Sequence, residues 1–195
     1  MNNSAMPVRS IVFLLSMLSL IACGPSLDDL VEQLASSDDR ESARQELLLA
    51  KDRAVGPLLE ALDDPVYAGA RVELAEALLS LMIRVDDPRI HTALNRHLVD
   101  DADPRVRARI ARGLGLHRRA EGVAALIQAL RDDEDTEVRY QALLALDALG
   151  EKLTDDQSSQ VDARALDFVA DPHEGIRMEA KIRVDKAVAK WLKQG

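Results

Sequence analysis

An all-α fold is predicted: a right-handed α-solenoid of about five helix pairs behind an N-terminal signal peptide. Three observations predict it. The run Asp101-Ala102-Asp103-Pro104-Arg105-Val106-Arg107, followed by Ile110, Ala111 and Leu114, returns 32 residues later. The second copy is Asp133-Glu134-Asp135-Thr136-Glu137-Val138-Arg139, followed by Ala142, Leu143 and Leu146, and a period of this length marks stacked helix pairs. Within each copy the apolar residues fall on one helical stripe. Hydrophobic residues make up 47% of the 195-residue chain but aromatics only 3%, so the core must come from small and straight-chain side chains that suit close-packed helices.

The elements follow in chain order. Residues 1–22 form a signal peptide: Arg9 supplies a positive start, and Ile11 to Ala22 is an uncharged, mostly apolar run too short to span a bilayer comfortably. That run ends in Leu20-Ile21-Ala22-Cys23-Gly24, which resembles the lipobox of bacterial lipoprotein precursors. The resemblance implies that Cys23 receives a diacylglyceryl group, that cleavage falls just before it, and that the new amine is acylated by a chain of the palmitate kind. Cys23 is the chain's single cysteine, which leaves no intramolecular disulfide and no cysteine-based zinc site. Residues 23–26 are then a short tether, and residues 27–195 the solenoid.

Ser26, with Asp29 three residues on, opens the first leading helix. The second helices are phased by an acid six residues before an arginine: Asp38 and Arg44, Asp101 and Arg107, Asp133 and Arg139, Asp171 and Arg177. The second pair, Asp64 and Arg71, is one residue longer. Asp64-Pro65, Asp87-Pro88, Asp103-Pro104 and Asp171-Pro172 each read as an N-cap acid before a first-turn proline. Thr154 with Gln157 reads as a capping box for the last leading helix. Lys51 and Lys181 stand where the middle repeats carry Ala or Leu, as the polar outer faces of terminal repeats require.

These residues resemble HEAT repeats in the short bacterial form also seen in phycobilin lyase subunits. The resemblance covers roughly Leu27 to Leu192. It implies a concave groove lined by the second helices, and a ladder between repeats made by Asp101, Arg107, Asp133 and Arg139.

The chemistry expected is binding. Asp/Arg pairs recurring in every repeat read as architecture, since one active site does not need five copies. His91, His97, His117 and His173 read as turn or surface residues, with no metal site and no cofactor expected. A formal charge of −9 excludes a general nucleic-acid binder. One local feature departs from that balance: Pro104 to Ala120 holds six arginines and no acid. Arg105, Arg109 and Arg112 share one helix face, flanked in neighbouring repeats by Glu73, Glu76 and Glu137. The expectation is therefore a non-enzymatic, lipid-anchored envelope lipoprotein. It would be a scaffold that binds an envelope protein, through an acidic segment, on Arg105, Arg109 and Arg112. Gly24 in place of an inner-membrane retention aspartate points to the periplasmic face of the outer membrane in a two-membrane bacterium. The alternative is an enzyme or enzyme subunit of the HEAT-repeat lyase-like branch.

Overall fold

The computed structural model describes residues 24–36 and 39–193. The expected signal peptide, Cys23 and the phasing acid Asp38 lie outside them. Among the described residues there are ten α-helices, arranged as five consecutive pairs. They are α1 (Leu27–Ala35) with α2 (Arg40–Ala50), α3 (Asp52–Asp63) with α4 (Arg71–Leu81), and α5 (Pro88–Asp100) with α6 (Pro104–Leu116). α7 (Val123–Asp132) with α8 (Thr136–Ala148), and α9 (Asp155–Phe168) with α10 (Glu174–Leu192), complete the series.

Two layers result. Leading helices α1, α3, α5, α7 and α9 stack on one another, and second helices α2, α4, α6, α8 and α10 form the other layer. The expected stripes meet between them: Ala43 and Leu47, Leu74, Ala75 and Leu78, Val106, Ile110, Ala111 and Leu114, and Val138, Ala142, Leu143 and Leu146 are all buried. The result is an α-solenoid with one continuous core running along its length. Among the described residues no helix is long and apolar enough to cross a membrane.

Helix starts follow the turn chemistry at most positions. Ser26 and Asp29 form a reciprocal capping box, as do Thr154 and Gln157. Asp87 and Asp103 each accept a hydrogen bond from the backbone N–H two residues on, at 2.9 Å. Asp171 differs from expectation. It accepts the His173 N–H at 2.8 Å, and α10 starts two residues after Pro172. Aligned on the repeat, Asp171 matches Asp101 and Asp133, whose carboxylates accept the N–H of Asp103 and Asp135 at 2.9 Å. His173 then occupies the cap position, and its Nδ1 accepts the Ile176 N–H at 3.4 Å.

The extra residue of the second pair is absorbed in a 3-10 helix, Pro65–Ala70, broken at Tyr67 (φ −95°, ψ 15°). Lys51 does not sit on a capping stripe. It joins α2 to α3 with φ 54°, a conformation unfavourable for any residue with a Cβ. Lys181 is exposed on the terminal helix.

α6 and α8 approach closely because Gly115 faces Ala145. A Cβ on Gly115 would stand 2.6 Å from the Ala145 Cα, so any larger residue would push two backbones apart.

Candidate functional site

The repeat boundaries fix where the second helices point their charges. Arg107 holds Asp133 of the next repeat with two parallel hydrogen bonds, at 2.8 and 2.9 Å. Its remaining nitrogen donates to the Asp101 carbonyl at 2.7 Å. Arg139 and Arg177 repeat that last contact on the carbonyls of Asp133 and Asp171, at 3.1 and 2.7 Å. The six-residue acid-to-arginine spacing therefore encodes a side chain-to-carbonyl bond within a repeat. The carboxylate serves the repeat before it.

The ladder is partial. Arg71 reaches Asp101 at 3.7 Å, and Arg107 reaches Asp133, but Arg139 turns to Thr136 Oγ1 and the Glu134 carbonyl. It also lies 5.9 Å from the centroid of the Phe168 ring. In the first pair Arg44 pairs with Glu76 at 3.3 Å and Glu41 at 3.6 Å.

His97 corrects the surface reading of the histidines. It is buried, with Nδ1 2.8 Å from Asp101 Oδ2 and Nε2 2.8 Å from Asp63 Oδ1. Burial raises the Asp63 pKa, but hydrogen bonds from Arg96 and His97, and their charge, outweigh it and hold the carboxyl below its ordinary range. The imidazole thus links the second pair to the third. Among the described residues no group of three His, Asp or Glu side chains is arranged to hold a metal ion.

Arg105, Arg109 and Arg112 come together on one cleft of about 370 Å³, which Glu73 and Glu137 also border. The three arginines are not equivalent there. Arg105 is drawn back onto its own helix cap, donating to Asp103 at 2.7 and 3.1 Å. That bond holds the Asp103 carboxyl below its usual range, against a smaller opposing effect of burial. Arg109 pairs with Glu76 at 2.9 Å, while Arg44 approaches the same carboxylate at 3.3 Å. Arg40 takes Glu73 at 2.6 Å, and Gln141 takes Glu137 at 2.7 Å. An ion-pair network thus ties α2, α4 and α6 across the groove and spends its glutamates. Of the three arginines on this cleft, Arg112 is exposed and is the one without an ion-pair partner among the described residues.

Arg112 also borders a second cleft of about 330 Å³, together with Gln141. Its floor is Gly115, Leu116, Leu144, Ala145 and Ala148, and Leu116 is 68% exposed. Sequence reading missed this apolar half. Leu116 and Leu144 fall off the repeat's conserved-spacing stripe, and Gly115 reads there only as a helix-end residue.

Comparison with known proteins accords with this architecture. Residues 92–182 match the family described as HEAT repeats. Among solved structures the chain is similar to a chain of the complex of CpcE and CpcF of phycocyanin lyase from Nostoc sp. PCC7120, at 23% identity and a TM-score of 0.62. The alignment covers 80% of this chain and 96% of that one. Among curated proteins no match is found. The expectation of a non-enzyme does not survive the structural match, because the same solenoid is built into a lyase complex. At this identity the likeness establishes the fold. Residues 92–182 match HEAT repeats, and the described residues as a whole fold as an α-solenoid.

Proposed function

We propose that the chain is a lipid-anchored subunit of an enzyme of the HEAT-like, lyase-like branch. It holds a protein partner against the face formed by its second helices. The observation that carries this reading is the fold shared over 80% of the chain with a subunit of a two-protein lyase complex. The clefts on α4, α6 and α8 support it, since they put charge and apolar surface side by side on that face. In this reading Cys23 bears the lipid, and the body follows closely because α1 begins at Leu27. A lipid with two or three acyl chains anchors stably, and Gly24 favours the periplasmic face of the outer membrane. The partner is then an envelope protein.

The test is purification of the tagged chain from detergent-solubilised envelopes of its own host, followed by reconstitution. One stoichiometric protein should accompany it, and the pair should catalyse a lyase-type addition or elimination that neither catalyses alone. A chain that elutes alone at every salt concentration, and adds nothing to any reaction of its neighbours, overturns the reading.

A further inference from the structure

Resting on the protein partner of that reading, the geometry points to the chemistry of the segment recognised: the groove takes an extended peptide in which an acidic residue stands next to bulky apolar ones. Arg112 binds the carboxylate, and the apolar side chains settle on the neighbouring floor of Leu116 and Leu144.

Charge complementarity selects this occupant. Of the groove arginines, Arg105 is occupied by Asp103 and Arg109 by Glu76, so Arg112 is left to meet an incoming anion. A guanidinium with open donors pairs a carboxylate through two hydrogen bonds. A uniform polyanion fits poorly, because Glu73, Glu76 and Glu137 already hold the neighbouring donors, so Arg112 can answer one carboxylate and further charges meet no countercharge. A wholly apolar segment leaves Arg112 desolvated and unpaired, which is costly. Arg112 and Gln141 border both clefts, so one short segment reaches the cation and the floor together. The floor exists because Gly115 and Ala145 let α6 and α8 come close, which leaves a shallow apolar trough between larger side chains. Bulky apolar side chains of the segment would cover this exposed apolar surface and gain from removing it from water.

Fluorescence polarisation with the full chain in detergent tests this directly. The probe is the labelled peptide Gly-Ser-Asp-Leu-Glu-Leu-Ser-Gly. One control replaces its acids by amides and the other replaces its leucines by serines. Saturable binding of the probe is expected, weakened at least about tenfold by either control, the scale of one charge-assisted hydrogen bond for the amides and of a buried leucine side chain for the serines. Arg112→Glu should abolish binding, and Leu116→Gln should weaken it with the charge intact. Both positions are exposed, so melting temperatures should stay near wild type. Equal binding of all three peptides, full binding by folded Arg112→Glu, or competition by polyglutamate as strong as by the probe itself overturns the proposal. Recovery of a second subunit from envelopes without any peptide preference sinks this groove chemistry alone. Absence of that subunit sinks the enzyme-subunit reading, whatever the peptides do.

Discussion

Arg107 grips both carboxylate oxygens of Asp133 across the boundary between the third and fourth pairs, at 2.8 and 2.9 Å. Both side chains are less than a tenth exposed, at 8% and 5%. In such a place the pair matters less for its net energy than for what happens when it is halved. Without Arg107 the buried Asp133 carboxylate keeps the Asp135 N–H but loses its countercharge and gains little water.

Arg107→Ala should therefore destabilise the solenoid by about 3–5 kcal/mol. Arg139→Ala should cost less, about 1–2 kcal/mol, since its guanidinium bonds only uncharged acceptors near the surface and no buried carboxylate loses its countercharge. Urea denaturation of the two variants checks the ordering. Equal costs would mean that the bidentate contact is not what joins the repeats.

The α6–α8 contact makes a second, steric prediction. Gly115→Ala should destabilise by about 1–3 kcal/mol, because the new methyl meets backbone rather than a movable side-chain tip. Gly56, inside α3, has nothing beyond its chain neighbours within 4 Å of an added Cβ, so Gly56→Ala sets a gain in helix propensity against crowding by Pro57 and should change stability by less than about 1 kcal/mol. Thermal melts should show the larger loss at Gly115.

His117 closes α6, where burial, aided by the charge of Arg119, lowers its pKa below the ordinary 6.5. The unfolded chain then binds a proton at a higher pH than the folded chain does. Stability is thus lost as pH falls below the unfolded value and on through the folded one. The urea midpoint of the wild type should drop between about pH 7.5 and pH 5.5, and His117→Gln should flatten that drop. An unchanged slope in the variant assigns the pH dependence elsewhere.

The anchor is tested in cells. Cys23→Ser should leave an uncleaved precursor or a soluble protein. Cell fractionation that finds the variant membrane-bound at the mature size contradicts lipidation at that position.

Much of the fold was legible because the same local rules recur. Proline-followed caps at Asp87 and Asp103, the capping boxes at Ser26 and Thr154, and the Ala/Leu stripes each specify an element from nearby residues alone. What was hidden depends on contacts one repeat apart. Arg40 with Glu73 and Arg96 with Asp63 are each 33 residues apart, and His97 with Asp63 is 34 apart. Opposite charges at the repeat period are the signal that could have found them. They also explain why the arginine face looked barer in sequence than it is: Glu76 neutralises Arg109 from a neighbouring helix, and Asp103 neutralises Arg105 from the cap. Arg71 shows the same limit in the irregular pair, where the 3-10 turn redirects its Nε to the Leu62 carbonyl, nine residues back.

The proposed seat of the partner is the second-helix face. Site-specific photo-crosslinking in intact cells tests it most directly. A photoreactive side chain replaces Gln141, which borders both clefts, or Gln128, exposed on the leading helix α7. Position 141 should crosslink to the protein that co-purifies with the chain, and position 128 should not. Crosslinking from position 128 with none from position 141 would contradict the claim.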